Sequence, residues 1–245
     1  LRRAERRFTL ATSMAKSASP ASSPVPATEA ELLARAQSLA GVRLGELAGR
    51  LGRPVPPDLK RAKGFVGQLV ELGLGATASS RAGPDFAHLG IELKTLPVDR
   101  SGRPVESTFV CTVPLCDVGD IEWERSPVRA KLARVLFVPV EGERERPVAE
   151  RRLGTPLCWS PSAEDERDLK FDWDELSGRI GKGEVESISG HLGRYLQVRP
   201  KAADSRARRR ALDADGVAFR ALPRGFYLRA AFTARIVHAH YALGR

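Results

Sequence analysis

Near Gly90 the hydrophobic period of this chain changes from that of a helix to that of a strand, so the fold must combine both. Upstream, "TEAELLARAQSLAG" places Leu32, Leu33, Ala36, Leu39 and Ala40 on one stripe behind a capping box formed by Thr28 and Glu31. "RLGELAGRLG" gives a second short helix stopped at Gly52, and "GFVGQLVELGLG" a third with Phe65, Val66, Leu69, Val70 and Leu72 to one side. Downstream, Ile91, Leu93 and Thr95 alternate with Glu92, Lys94 and Leu96. "DRSGRP" is turn chemistry, so "VESTFVCTVPL" reads as the partner strand of a hairpin.

"SPVRAKLA" is a short helix capped by Ser126 with Pro127 at its first position. "RVLFVPV" is a buried strand, and "EGERERP" turns the chain toward a further strand near Val148. Residues 162–181 form a charged amphipathic helix carrying Leu169, Trp173, Leu176 and Ile180. "RYLQVRP" and "RGFYLRA" are strands, "DSRARRRALDADG" is a charged surface connection, and "AFTARIVHAHYAL" is a closing helix. Strands and helices in this order give an α+β fold with a central mixed β-sheet flanked by helices. Residues 1–27, rich in Ser, Pro and Ala after an Arg-rich start, read as a disordered tail before a domain at 28–241, with 242–245 as a C-terminal tail.

The net charge of +10 favours an anionic partner, nucleic acid ahead of a membrane surface; a basic, Arg-rich proteome is the lesser alternative. No apolar run reaches the ~18 residues of a membrane span. The cysteines Cys111, Cys116 and Cys158 are odd in number and form no C-x-x-C pair, so neither a disulfide frame nor a zinc site is indicated. That suits a reducing cytoplasm. His238 and His240 read as an exposed helical pair.

"PDFAHLGIELKTLPVD" carries the chemistry. On a strand, residues two apart face the same side, so Glu92 and Lys94 project together while Ile91 and Leu93 face the core. If "FAHLG" bends the chain, Asp85 returns beside them. Two hard carboxylates suit Mg²⁺, and a lysine beside the metal can position water for phosphodiester hydrolysis. An exposed ion pair fits the same triplet. Asp58-Leu59-Lys60 and Asp168-Leu169-Lys170 have the same spacing, but only the triplet at Glu92 combines strand period, an upstream acid and a glycine-bearing bend.

Six separated blocks, "KGFVGQLVELGLGA", "DFAHLGIELKTLPVD", "GRPVESTFVC", "VRAKLARVLFVPVEGE", "YLQVRPKAA" and "LPRGFYLRAAFTA", together resemble the MutH family of mismatch-repair endonucleases over residues 28–241. The resemblance implies a PD-(D/E)xK, restriction-endonuclease-like core. It implies Mg²⁺-dependent nicking of the unmethylated strand at hemimethylated GATC sites in double-stranded DNA. Stimulation by MutL after mismatch recognition by MutS is implied as well, in a cytoplasmic protein that is monomeric when free.

Carried over by residue, Asp85, Glu92 and the Leu93 carbonyl become metal ligands and Lys94 orients the water. Glu71 and Lys131 join the catalytic set; each also reads as an ordinary helix-surface residue. Arg199, Lys201, Tyr227 and Lys63 fall at DNA-binding positions, Tyr227 as the sensor of adenine methylation or as a packed strand tyrosine. Arg208, Arg209 and Arg210 either touch phosphates or form a solvated loop. A GATC restriction enzyme cutting both strands and a non-catalytic DNA-binding module are the alternatives.

Overall fold

The computed structural model describes residues 24–60, 62–76, 83–201 and 206–243. The expectations for residues 1–23, 244 and 245 lie outside these. Pro26 is buried and its carbonyl lies 2.7 Å from the His88 ring, so the chain is docked before position 28.

Helices α1 (Glu29–Ser38), α2 (Leu44–Arg50) and α3 (Phe65–Leu74) form where the stripes place them. Thr28 Oγ1 accepts from the Glu31 N–H at 3.2 Å, while the Glu31 carboxylate takes the Ala27 N–H at 2.7 Å. Strand β1 (Glu92–Val98) pairs in parallel with β3 (Val135–Glu141), and β4 (Leu157–Trp159) joins β3 antiparallel. This mixed sheet divides two hydrophobic cores. Leu136, Val138 and Val140 of β3 face α1–α3, while Val135 and Phe137 face the opposite core. Strands covered on both sides bury both phases of their side chains. Hence Glu92 is as buried as Leu93, unlike the one-sided strand that the alternation suggests.

The opposite core holds α4 (Pro127–Leu132), α5 (Ala163–Gly181) and a second sheet. That sheet is antiparallel, with β8 (Arg224–Leu228) between β2 (Thr108–Thr112) and β5 (Leu196–Pro200). Helix α6 (Ala230–Leu243) closes the chain, running past position 241. Among the described residues no helix is long and apolar enough to cross a membrane.

Three expectations are corrected. Strand β2 does not pair with β1; it pairs with β8. The turn after β1 forms and Val98 bridges Pro104, but Pro97 and Pro104 lack the N–H groups that would extend the ladder. The segment at Val148 is a single 3₁₀ turn, Val148–Glu150, entered from Pro147, and the next strand is β4. The connection holding "RARRRALDADG" contains a hairpin, β6 (Arg209–Leu212) with β7 (Ala218–Ala221), closed by Asp213 and by Gly216 at φ +75°. The expected mixed sheet flanked by helices is β1-β3-β4; among the described residues an antiparallel three-stranded sheet and a hairpin accompany it.

Candidate active site

A tight turn returns Asp85 to the start of β1. Phe86 and Ile91, both buried, bridge antiparallel to each other, and Gly90 takes the positive φ of +67° that this reversal needs. The Asp85 carboxylate then accepts the Leu93 N–H at 2.9 Å. The bend anticipated in "FAHLG" is this turn.

Glu92 is only 1% exposed, a cost that its partners offset. Lys131 Nζ donates to both carboxylate oxygens, at 2.8 and 3.0 Å, and to the Gly83 carbonyl at 2.9 Å. Lys94 Nζ holds one of the same oxygens. Lys131 comes from α4, whose first turn is capped by Ser126 Oγ accepting the Arg129 N–H at 3.0 Å. It is itself buried, so its reading as a surface lysine is set aside.

Glu71, on α3, lies in the field of these groups. Burial raises its pKa most, and the charge of Asp85 adds to this, as does that of Glu92; Lys94 and Lys131 act against them. Cys111 of β2 lies behind the cluster, and burial pushes its thiol up to about 12, so it is no nucleophile at neutral pH.

The second sheet supplies a ledge beside this cluster. Tyr227 stands in register with Phe109 on one side and Gln197 on the other. The Phe109 and Tyr227 rings meet edge to face at 5.3 Å, and Lys201 Nζ sits 3.1 Å over the Phe109 ring centroid. Lys94 Nζ is 6.0 Å from the same centroid, which links ledge and cluster. Desolvation draws the Lys201 pKa down first, and the charges of Lys94 and then Lys63 add to it. Lys63, just before α3, therefore faces this region. Burial raises the Tyr227 hydroxyl pKa, with the Arg199 charge opposing. Arg199 is in register with Gly225. A Cβ at Gly225 would stand 2.8 Å from Phe109, 3.1 Å from Tyr227 and 3.3 Å from Lys201.

The structure thus joins Asp85 to Leu93 and Glu92 to Lys94 and Lys131 at the start of β1, sets Glu71 in their field, and gathers Arg199, Lys201, Tyr227 and Lys63 nearby. Phe109 was missed. The available signal was an aromatic on the outward phase of "STFVCT", opposite residues that are buried. Neither look-alike triplet assembles: Asp58 caps its own turn at the Lys60 N–H, and on α5 Asp168 pairs with Arg194 while Lys170 pairs with Asp174. His238 and His240 are exposed on α6.

Among the described residues no three His, Cys, Asp or Glu side chains form a group that could hold a metal. The donors present are the Asp85 carboxylate, held on the Leu93 N–H, and the Glu92 carboxylate at the first residue of β1, both with hard oxygen chemistry. That fits a cation such as Mg²⁺, which takes few protein carboxylates and keeps several waters.

Comparison with known proteins bears on this cluster. A family model described as DNA mismatch repair enzyme MutH matches residues 74–172, which include Asp85, Glu92, Lys94 and Lys131. The DNA mismatch repair protein MutH of Vibrio cholerae serotype O1 is 55% identical over 219 residues, 89% of this chain and 99% of that protein. The protein of the same name from Klebsiella pneumoniae is 54% identical over 224 residues, 91% of this chain and 96% of its own length. That of Salmonella paratyphi C is 54% identical over 218 residues, 89% and 94% of the two chains.

Proposed function

The chain belongs to the MutH family of DNA mismatch-repair proteins, and from that premise we propose that it is a Mg²⁺-dependent endonuclease on a PD-(D/E)xK core. It nicks the unmethylated strand of double-stranded DNA at hemimethylated GATC sites. The observation that carries this reading is the meeting of Asp85, Glu92 and Lys94 at one end of a buried strand, with Lys131 holding Glu92 through both oxygens.

Asp85, Glu92 and the Leu93 carbonyl would hold Mg²⁺, which when bound supplies positive charge at the scissile phosphate and acidifies water. The remaining work falls to the chain's own groups. Lys131 fixes the Glu92 carboxylate in an orientation that burial alone would not select. Lys94, held to Glu92 and facing the ledge, orients the attacking water with its ammonium. Glu71 adds a third acid whose raised pKa reflects its crowding with Asp85 and Glu92.

Arg199, Lys201 and Lys63 engage the DNA, and Arg199 offers the bidentate donors that recognise guanine. Tyr227 presents an aromatic edge that senses an adenine methyl group. MutL activates the enzyme after MutS finds the mismatch, and the protein acts as a cytoplasmic monomer when free.

The test is strand-resolved cleavage of unmethylated, hemimethylated and fully methylated GATC duplexes with Mg²⁺ or chelator. Single nicks confined to unmethylated strands, and only with metal, are expected. Double cuts would instead indicate the restriction-enzyme alternative, and binding without cleavage a non-catalytic module.

A further inference from the structure

The hairpin of β6 and β7 has no part in the chemistry above. It rises from the end of the ledge: the Lys201 N–H donates to the Pro223 carbonyl at 2.7 Å, so its foot adjoins Arg199, Lys201 and Gly225. One face is sealed. Ala211 and Ala221 are buried in the core that holds Trp173 and Phe226, with Phe219 packed against them. Cys116 Sγ donates to the Arg210 carbonyl at 3.4 Å. At the far turn, a Cβ on Gly183 would stand 2.3 Å from the Ala214 nitrogen, so the chain passes there in close contact. The hairpin is a seated arm.

Its outward face carries Arg210 and Arg220, both exposed and directly opposite each other in the ladder. Like charges so placed repel. Among the described residues no side-chain hydrogen bond or ion pair holds either guanidinium. The nearby acids do not serve: Asp213, in the far turn, accepts the Asp215 N–H at 3.0 Å and the Val217 N–H at 2.8 Å. Arg209, also exposed, pairs with Ala221 on the other phase of the strand and is not part of this face.

Two repelling arginines on a seated arm are relieved by an external polyanion. We infer that the outward face of this hairpin, Arg210 and Arg220, binds the phosphates of duplex DNA flanking the recognised site. The inference rests on the DNA-cleaving reading given above. Arg220 lies three positions before Pro223, about 10 Å of extended chain. That is about three base-pair steps at ~3.4 Å each. The arm therefore lengthens the footprint without reading sequence, since phosphate contacts position a protein but do not specify bases.

The test compares the wild-type chain with the Arg210→Ala/Arg220→Ala double variant on two duplexes. One is trimmed to the GATC site and its immediate neighbours; the other has a full helical turn on each side. Binding is measured in Ca²⁺ across a salt series, and nicking in Mg²⁺. On the long duplex the slope of log K against log salt should fall by about 2 in the variant, one for each lost phosphate contact. On the short duplex the two proteins should bind and nick alike.

An unchanged slope on the long duplex, or an equal loss on both, overturns the inference. Loss of activation by a protein partner with an unchanged slope also overturns it and assigns the face to an acidic protein. Failure of the wild type to nick either duplex would sink the endonuclease reading instead, while the binding slopes still decide the role of the arm.

Discussion

Glu71 shows how a single side chain reports on the site. Its folded pKa lies above the ordinary 4.5, because burial and then the Asp85 charge favour the proton. A carboxyl raised in this way costs no stability below the ordinary value and destabilises as pH rises through the raised one. Glu71→Gln should therefore raise the melting temperature of the metal-free protein at neutral pH, with the gain vanishing in acid. Thermal unfolding in chelator across a pH series measures this; a gain independent of pH would contradict it. Gly225 sets the opposite constraint. Its missing side chain lets Phe109, Tyr227 and Lys201 close over the strand. Gly225→Ala should spread that ledge and weaken GATC recognition on the order of tenfold or more, the ~1–3 kcal/mol of a misplaced base contact. Kd measured against specific and scrambled duplexes would show the loss confined to the specific one.

Among the elements, α5 and β5 are joined by one buried carboxylate. Asp172 accepts the backbone N–H groups of Arg194, Tyr195 and Leu196 at 2.7, 2.6 and 2.8 Å. Asp172→Ala leaves these donors without their acceptor, at a cost of ~1–3 kcal/mol for each that stays dry. A large fall in melting temperature is expected, with faster amide exchange at residues 194–196 than in β1. Helices such as α5 were legible because their stripes and caps are local: Ser162 and Asp165 cap each other directly. The turn from Asp85 to Glu92 was legible for the same reason, since its bridge and its glycine lie within one short segment. Strand partners were not. β1 pairs with β3, and β2 with β8 near the other end of the chain, a choice that hydrophobic alternation leaves open. The ledge was lost with them, because Phe109, Gln197 and Tyr227 meet only once three distant strands align. Arginines concealed the β6–β7 hairpin, whose buried phase is made of little more than Ala211, Ala221 and half-covered Phe219.

At the scale of the molecule, the mixed sheet is a wall between two cores, and the acidic cluster sits at its end where α3, α4 and β1 converge. Packing on both sides holds the carboxylates in place, and a chain with a net charge of +10 surrounds them with a field that attracts DNA. On the proposed reading binding and cleavage are separable properties: the basic ledge and arm would bind, and the acids would cut. Asp85→Asn separates them most cleanly, because an amide oxygen still accepts the Leu93 N–H while the charge is gone. The decisive measurement is single-turnover nicking of a hemimethylated GATC duplex by this variant in Mg²⁺, beside its affinity for the same duplex in Ca²⁺. Affinity within a few-fold of wild type, with nicking slowed on the order of a hundredfold or more, is the expected result. Nicking at the wild-type rate by a folded, DNA-bound Asp85→Asn protein would contradict the assignment of the catalytic centre to this cluster.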